Sequence, residues 1–240
     1  MGRIQTKVAA VIKLMDLYTG RPVDEKNIRI SIQQQNKVMM KQGGFVIILE
    51  APGVIEVNMR IESAIYQSRE IKVKVGVTVS QNGYPVWLQP KRNYPFSLGT
   101  TFLKGHTEDG LIMLSIENRE RPIRLMADYE AGSSLIQLAN AGEYTDGRYY
   151  RIGTKEQGEI FQINSEAEEV KQGYFLQNPC QKNYKRTESS VTSILPVMVE
   201  KQEFYIGIAG IPKEGAVCRI YKQDICVKEL HLEYGKENKL

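Results

Sequence analysis

The sequence predicts a mainly β protein, built as tandem antiparallel β-sandwich domains with little helix. Period-2 alternation is the first observation behind this. In Ile55-Glu56-Val57-Asn58-Met59-Arg60-Ile61-Glu62 every apolar residue is followed by a polar one, the pattern of a strand with one buried and one wet face. The second is turn chemistry at short intervals, which favours sandwiches and barrels. The third is that helical periodicity never holds over an 11-residue window. The best helical candidate is a single turn at Ser165-Glu166-Ala167-Glu168, which has capping-box spacing.

Taken in chain order, a first strand is expected over Val8 to Leu14, then the turn Thr19-Gly20-Arg21-Pro22 and an alternating strand Ile28-Arg29-Ile30-Ser31-Ile32. Gln42-Gly43-Gly44 and Ala51-Pro52-Gly53 are the next turns, because glycine supplies positive φ and proline restricts φ. The strand Ile55 to Glu62 follows, then Ile71 to Val75. Between Ser80 and Thr101 lie three of the nine prolines and the only tryptophan. Proline cannot donate to a sheet ladder, so this stretch is expected to be extended and connective. The domains are therefore placed at 1–80 and 101–240, with 81–100 as a Pro/aromatic connector. Trp87, Tyr94 and Phe96 are expected to pack against one or both domains and set their orientation, and they are the candidate docking residues. Beyond the connector, strands are expected at Thr101 to Gly105, Ile123 to Tyr129, Tyr149 to Thr154, Gly158 to Ile163, Phe204 to Ile208, Ala216 to Tyr221 and Ile225 to Leu232. Turns fall at Asp146-Gly147, Gln157-Gly158 and Pro212 to Gly215.

The order of events in the first third resembles the transthyretin-like family, also called carboxypeptidase regulatory-like domains. Asp16-Leu17-Tyr18-Thr19-Gly20-Arg21-Pro22-Val23 is similar to the family's D-x-x-T-G-x-P-V turn. Lys41-Gln42-Gly43-Gly44-Phe45-Val46 resembles its K-x-G-x-F-x-F approach to a central strand. Ala51-Pro52-Gly53 with Val54 to Glu62 resembles its L-P-P-G-x-Y-x-L-x-V step, with Val54-Ile55 standing where an aromatic is common. The match spans roughly residues 5 to 78 and implies a prealbumin-like sandwich. A weaker echo after the connector, including Lys155-Glu156-Gln157-Gly158-Glu159-Ile160-Phe161, is as compatible with a degenerate second copy as with none.

Charge and chemistry narrow the function classes. The 240 residues hold 32 basic and 28 acidic side chains, a net charge of +4 drawn from two interspersed sets. Nucleic-acid binders usually concentrate their basic residues on one face, so no nucleic-acid partner is expected. The longest basic cluster, Lys182, Lys185 and Arg186, reads as a solvated strand edge. Cys180, Cys218 and Cys226 are too few and too irregularly spaced for a disulfide framework or a zinc site. They read as small buried side chains, although Cys218 and Cys226 could face each other across a hairpin turning at Lys222-Gln223-Asp224. No apolar run approaches a membrane helix and no secretory core follows the N-terminus, so a cytoplasmic chain without a membrane partner is expected.

His106 and His231 sit in no catalytic or metal pattern, and no nucleophile-elbow or phosphate-loop motif occurs. The chain ends Tyr234-Gly235-Lys236 and onward, unlike the C-terminal Tyr-Arg-Gly-Ser of the hydroxyisourate hydrolases in the family. Asp16, Asp24 and Glu25 cluster near the first turn, where carboxylates can bind calcium, and they lack the EF-hand-like oxygen spacing of such a site. No enzyme, cofactor, metal or catalytic residue is therefore expected. The expectation is a structural or adaptor protein, oligomeric, docking onto other proteins of a larger assembly; a phage-tail-like contractile injection particle is one setting that such resemblance brings forward. The alternative is a carbohydrate-binding module that uses exposed aromatics among its 13 tyrosines and single tryptophan.

Overall fold

In a computed structural model, the described residues are 7–23, 26, 28–33, 37–49, 54–74, 83–139, 148–154, 157–167 and 169–240. The Ala51-Pro52-Gly53 and Asp146-Gly147 turns, Gln81-Asn82, Val75, Asp24 and Glu25 lie outside them. The protein is mainly β, with several antiparallel sheets, and it divides into two compact units, Met1–Pro95 and Phe96–Leu240.

The first unit contains β1 (Val8–Asp16), β2 (Ile28–Ile32), β3 (Val38–Lys41), β4 (Phe45–Leu49), β5 (Glu56–Ser63), β6 (Arg69–Lys74) and β7 (Tyr84–Leu88). One sheet has the order β3-β4-β1-β7 and the other β2-β5-β6. Alternation is what makes them pair face to face. Val57, Met59 and Ile61 of β5 join Ile12 and Leu14 of β1, Val46 and Ile48 of β4, and Val86 and Leu88 of β7 in one buried cluster. The opposite face of β5 is wet, and there Arg60 lies 3.0 Å from Glu62 and 3.8 Å from Glu70. Such exposed pairs add little stability, and they keep that face in water.

Part of the segment expected as a connector is a strand of this sandwich. Tyr84–Leu88 pairs in parallel with β1, Ile12 opposite Tyr84 and Asp16 opposite Leu88. β7 is the terminal strand of its sheet. Pro85 fits there because an edge strand needs donors on one side only.

The second unit contains β8 (Thr101–His106), β9 (Gly110–Ile116), β10 (Ile123–Leu125), β11 (Leu135–Ala139), β12 (Tyr149–Gly153), β13 (Gly158–Ala167), β14 (Gly173–Leu176), β15 (Ser190–Val199), β16 (Glu203–Ile208), β17 (Ala216–Lys222), β18 (Ile225–Leu232) and β19 (Glu237–Lys239). Two long arms, β8-β9 and β15-β16, form a single antiparallel ribbon. Its register is continuous from Thr101 opposite Ile208 to Leu114 opposite Leu195. The ribbon turns a corner between His106 and Gly110, where Lys201 (φ 55°) and Gln202 (φ 62°) adopt left-handed backbone. The Asp109 carboxylate accepts the Gln202 N–H there at 2.5 Å. Beyond the corner the two halves belong to different sheets, β16-β8-β19 on one side and β15-β9-β17-β18 on the other.

The remaining strands close on themselves. From β10 the ladder passes through β11, β14, β13, β12 and β15 and returns to β10, a six-stranded ring with no free edge. Its interior is Leu125, Ile136, Leu138, Tyr150, Ile152, Phe161, Ile163, Tyr174, Leu176 and Val191, all buried. The helical turn expected at Ser165 does not form: Ser165, Glu166 and Ala167 extend β13 and pair with Phe175, Tyr174 and Gly173. Ladder hydrogen bonds from β14 outweigh a local capping signal. The expected strand Ile123 to Tyr129 is also shorter, ending at Leu125, and Tyr129 instead bridges Tyr184.

Removing Ile12, fully buried at the centre of β1, tests the first core. Ile12→Ala is expected to cost about 2–5 kcal/mol through lost transfer energy and the cavity left behind, measured as a fall in the denaturant midpoint at unchanged m-value.

Candidate functional site

Asp16 ends β1, and it is 3% exposed. A buried carboxylate must be paired or hydrogen-bonded. The sequence supplies the partners locally: the next residues turn back, with Gly20 N–H donating to the Asp16 carbonyl (2.9 Å) and Asp16 N–H to the Arg21 carbonyl (2.8 Å). This turn aims the Tyr18 and Thr19 N–H groups at Asp16 Oδ1, at 2.7 and 3.2 Å. Oδ2 accepts two phenols, Tyr66 at 2.9 Å and Tyr94 at 2.5 Å. Burial, then the adjacent Asp16 charge, raises the pKa of Tyr66; burial and the Asp16 hydrogen bond do the same for Tyr94. Both phenols therefore stay protonated and donate.

Tyr94 also packs edge-on to Tyr18, with ring centroids 5.8 Å apart, and lies 5.6 Å from Tyr66. Three separated segments are tied to one carboxylate: the turn after β1, the loop after β5 and the residues after β7. Gly44 closes the same end. Its φ is 73°, and a Cβ there would sit 2.6 Å from the Leu14 carbonyl oxygen, so only glycine fits.

Of the three docking candidates, Trp87 and Tyr94 belong to the first unit and Phe96 to the second. Trp87 is 7% exposed, an interior side chain whose backbone carbonyl accepts from Arg69 at 2.6 Å. Phe96 packs on β8 and β16, with its ring 5.0 Å from Phe102 and 6.5 Å from Tyr205. It rests against Gly207, where any Cβ would collide with the ring.

The second unit holds its own buried polar cluster at the ring's rim. Glu159 of β13 is 4% exposed, and both its oxygens accept the Gln181 N–H, at 3.2 and 2.9 Å. The Cys180 thiol is hydrogen-bonded to it as well. Burial raises the Glu159 pKa, while these hydrogen bonds oppose the shift. Burial and the Glu159 charge push the Cys180 thiol up to about 12, and burial does the same for Cys218. Neither is a nucleophile at neutral pH. Arg151, also buried, donates to the Thr154 carbonyl at 2.6 Å and lies 5.3 Å from the Tyr221 ring centroid.

β17 and β18 form the hairpin expected from the sequence, but its cysteines do not oppose each other: Cys218 pairs with Leu230 and Tyr221 with Cys226. Cys226 is exposed rather than buried. The basic cluster Lys182, Lys185 and Arg186 lies in a loop rather than on a strand. His106 is exposed, 3.9 Å from Glu203, and His231 is exposed on β18.

β18 ends the nine-stranded sheet, and its first five residues are all exposed. Ile225 is 68% and Val227 49% exposed. A bulge interrupts pairing between Ile220 and Tyr221, leaving Val227 as the extra residue. Sequence alternation does not reveal this edge, because Ile225-Cys226-Val227 is an uninterrupted apolar run that reads as buried.

Among the described residues, no helix is long and apolar enough to cross a membrane, which says nothing of β-barrels. No group of three His, Cys, Asp or Glu able to hold a metal occurs among them. No family model and no curated protein matches the chain. Among solved structures, the shaft pilin SpaA of Lactobacillus rhamnosus GG matches over 97% of this chain and 96% of its own, at 8% identity and a TM-score of 0.24. A likeness that weak carries no argument.

Tyr66→Phe removes one donor from Asp16 and is expected to cost about 1.5–3 kcal/mol, the range for a hydrogen bond to a charged group. Asp16→Ala strands all four donors and is expected to cost more. Equilibrium denaturation of both variants checks the ranking.

Proposed function

We propose that this chain is a non-enzymatic structural or adaptor protein that docks onto other proteins of an assembly, with a transthyretin-like sandwich as its first unit. Support for the sandwich subtype comes from Asp16 to Val23, whose family-like turn here caps a buried carboxylate, and from Gly44 just before β4. The observation that carries the docking role is the exposed apolar edge at Ile225 and Val227 on a sheet continuous with a closed ring. A rigid sheet whose terminal strand keeps unpaired backbone groups and apolar side chains in water is suited to adding a partner strand. The buried ionisable groups fit the same reading. Asp16, Glu159 and Arg151 all hold backbone or side-chain donors and acceptors of the fold itself. A contractile injection particle stays one setting for such an adaptor, and a cytoplasmic location before assembly accords with it.

The test is capture of partners from the native source alongside size-exclusion chromatography, with wild type and an Ile225→Asp/Val227→Asp variant. Wild type is expected to elute in a complex and retrieve defined proteins. The variant, folded by circular dichroism, is expected to lose at least tenfold in affinity. A strictly monomeric wild type that retrieves nothing overturns the reading.

A further inference from the structure

The rim of the second unit's ring contains an ionisable group in an arrangement that its docking role does not use. Segment 177–186 covers the rim and is laced to 128–133. Gly132 N–H donates to the Cys180 carbonyl (2.7 Å), Cys180 N–H to Ser133 (2.9 Å), and Tyr129 and Tyr184 exchange backbone hydrogen bonds at 2.8 and 2.7 Å. On its other side, the segment meets β13 through Glu159. Glu159 takes Gln181 N–H on both oxygens and the Cys180 thiol, and Lys182 Nζ reaches the adjacent Gly158 carbonyl at 3.3 Å. The next residue of β13, Ile160, donates its N–H to Asp224 of the β17-β18 turn at 2.6 Å.

The groups acting on Glu159 are therefore Cys180 and Lys182 from the segment and Asp224 from the hairpin, with Tyr184 and Arg151 the other ionisable groups of the cluster. Among the described residues no salt bridge to Glu159 occurs, and Asp224 is a second negative charge acting on it. A carboxylate so buried, with a like charge beside it, holds its proton more tightly closed than open.

We propose that Glu159 is a proton-operated staple, which fastens segment 177–186 to β13 more firmly in acid than at neutral pH. The sign follows from linkage. The closed rim raises the Glu159 pKa above its ordinary value, through burial first, and opening restores water to the carboxylate. The closed form thus binds the proton that the open form releases. Between the ordinary and the raised pKa, the opening constant climbs with pH, by up to tenfold per pH unit for one proton, and is flat on either side.

Amide hydrogen exchange at Gln181 and Cys180 between pH 4 and pH 8, corrected for intrinsic exchange, reads that constant directly. In wild type the corrected protection is expected to fall as pH rises through the window and then level off. In Glu159→Gln, which keeps an acceptor for Gln181 and cannot titrate, it is expected to be flat. A carboxyl-detected titration of wild-type Glu159 keeps the proposal testable if the variant does not fold. Equal pH profiles in wild type and variant, or a Glu159 carboxyl that titrates with the exposed glutamates, would overturn it. Partner capture plays no part in this readout, so the staple and the docking role stand or fall separately.

Discussion

A carboxylate taken out of water at the end of β1 governs how the first unit is put together. Asp16 is buried, so its charge is tolerable only if donors surround it. Two come from the backbone of its own turn and two from phenols about 50 and 78 residues further on. The local pair forms as soon as the turn forms. The distant pair forms only once the loop after β5 and the segment after β7 have arrived. The same group that caps a turn therefore also records whether both sheets are in place, and its cost when unpaired penalises arrangements in which they are not.

The second unit solves a different problem, the free edges of a long sheet. A continuous ribbon carries one register around a corner, and the strands between its arms close into a ring, so most backbone groups are paired without any covering helix. Among the described residues, β16 and β19 border the smaller sheet, and the end of the nine-stranded sheet that stays open is β18. The bulge and the charges of Lys228 and Glu229 work against indiscriminate pairing there, a common device for edge strands. The edge retains Ile225 and Val227 in water nonetheless.

Much of the strand content was legible in the residues. β5 alternates so regularly that Val57, Met59 and Ile61 can be read off as buried, although Ile55 at the head of the same pattern precedes the strand and is 81% exposed; β18 begins and ends where expected, at Ile225 and Leu232. The candidate sites were less legible. Asp16 belongs to a turn motif that the sequence shows, yet its tyrosine partners lie far along the chain, and nothing in the spacing of Tyr66 or Tyr94 points to it. Glu159 lies on a strand between a glycine and an isoleucine, where a polar residue reads as solvent-facing. Ser165 and Pro85 misled in the same way: each carries a local preference that a neighbouring strand overrides once its ladder hydrogen bonds are available.

By itself, the sequence determined the β character of this protein, the positions of most strands and, among the described residues, several of the turns between them. Those depend on contacts within a few residues, where alternation, glycine and proline act on the backbone directly. Only the tertiary structure decided which strands pair, that β7 runs parallel to β1, that six strands close a ring, and which edge remains exposed. Strand pairing is chosen by long-range burial and hydrogen bonding, and many registers satisfy the same alternating pattern until all the sheets compete for one interior.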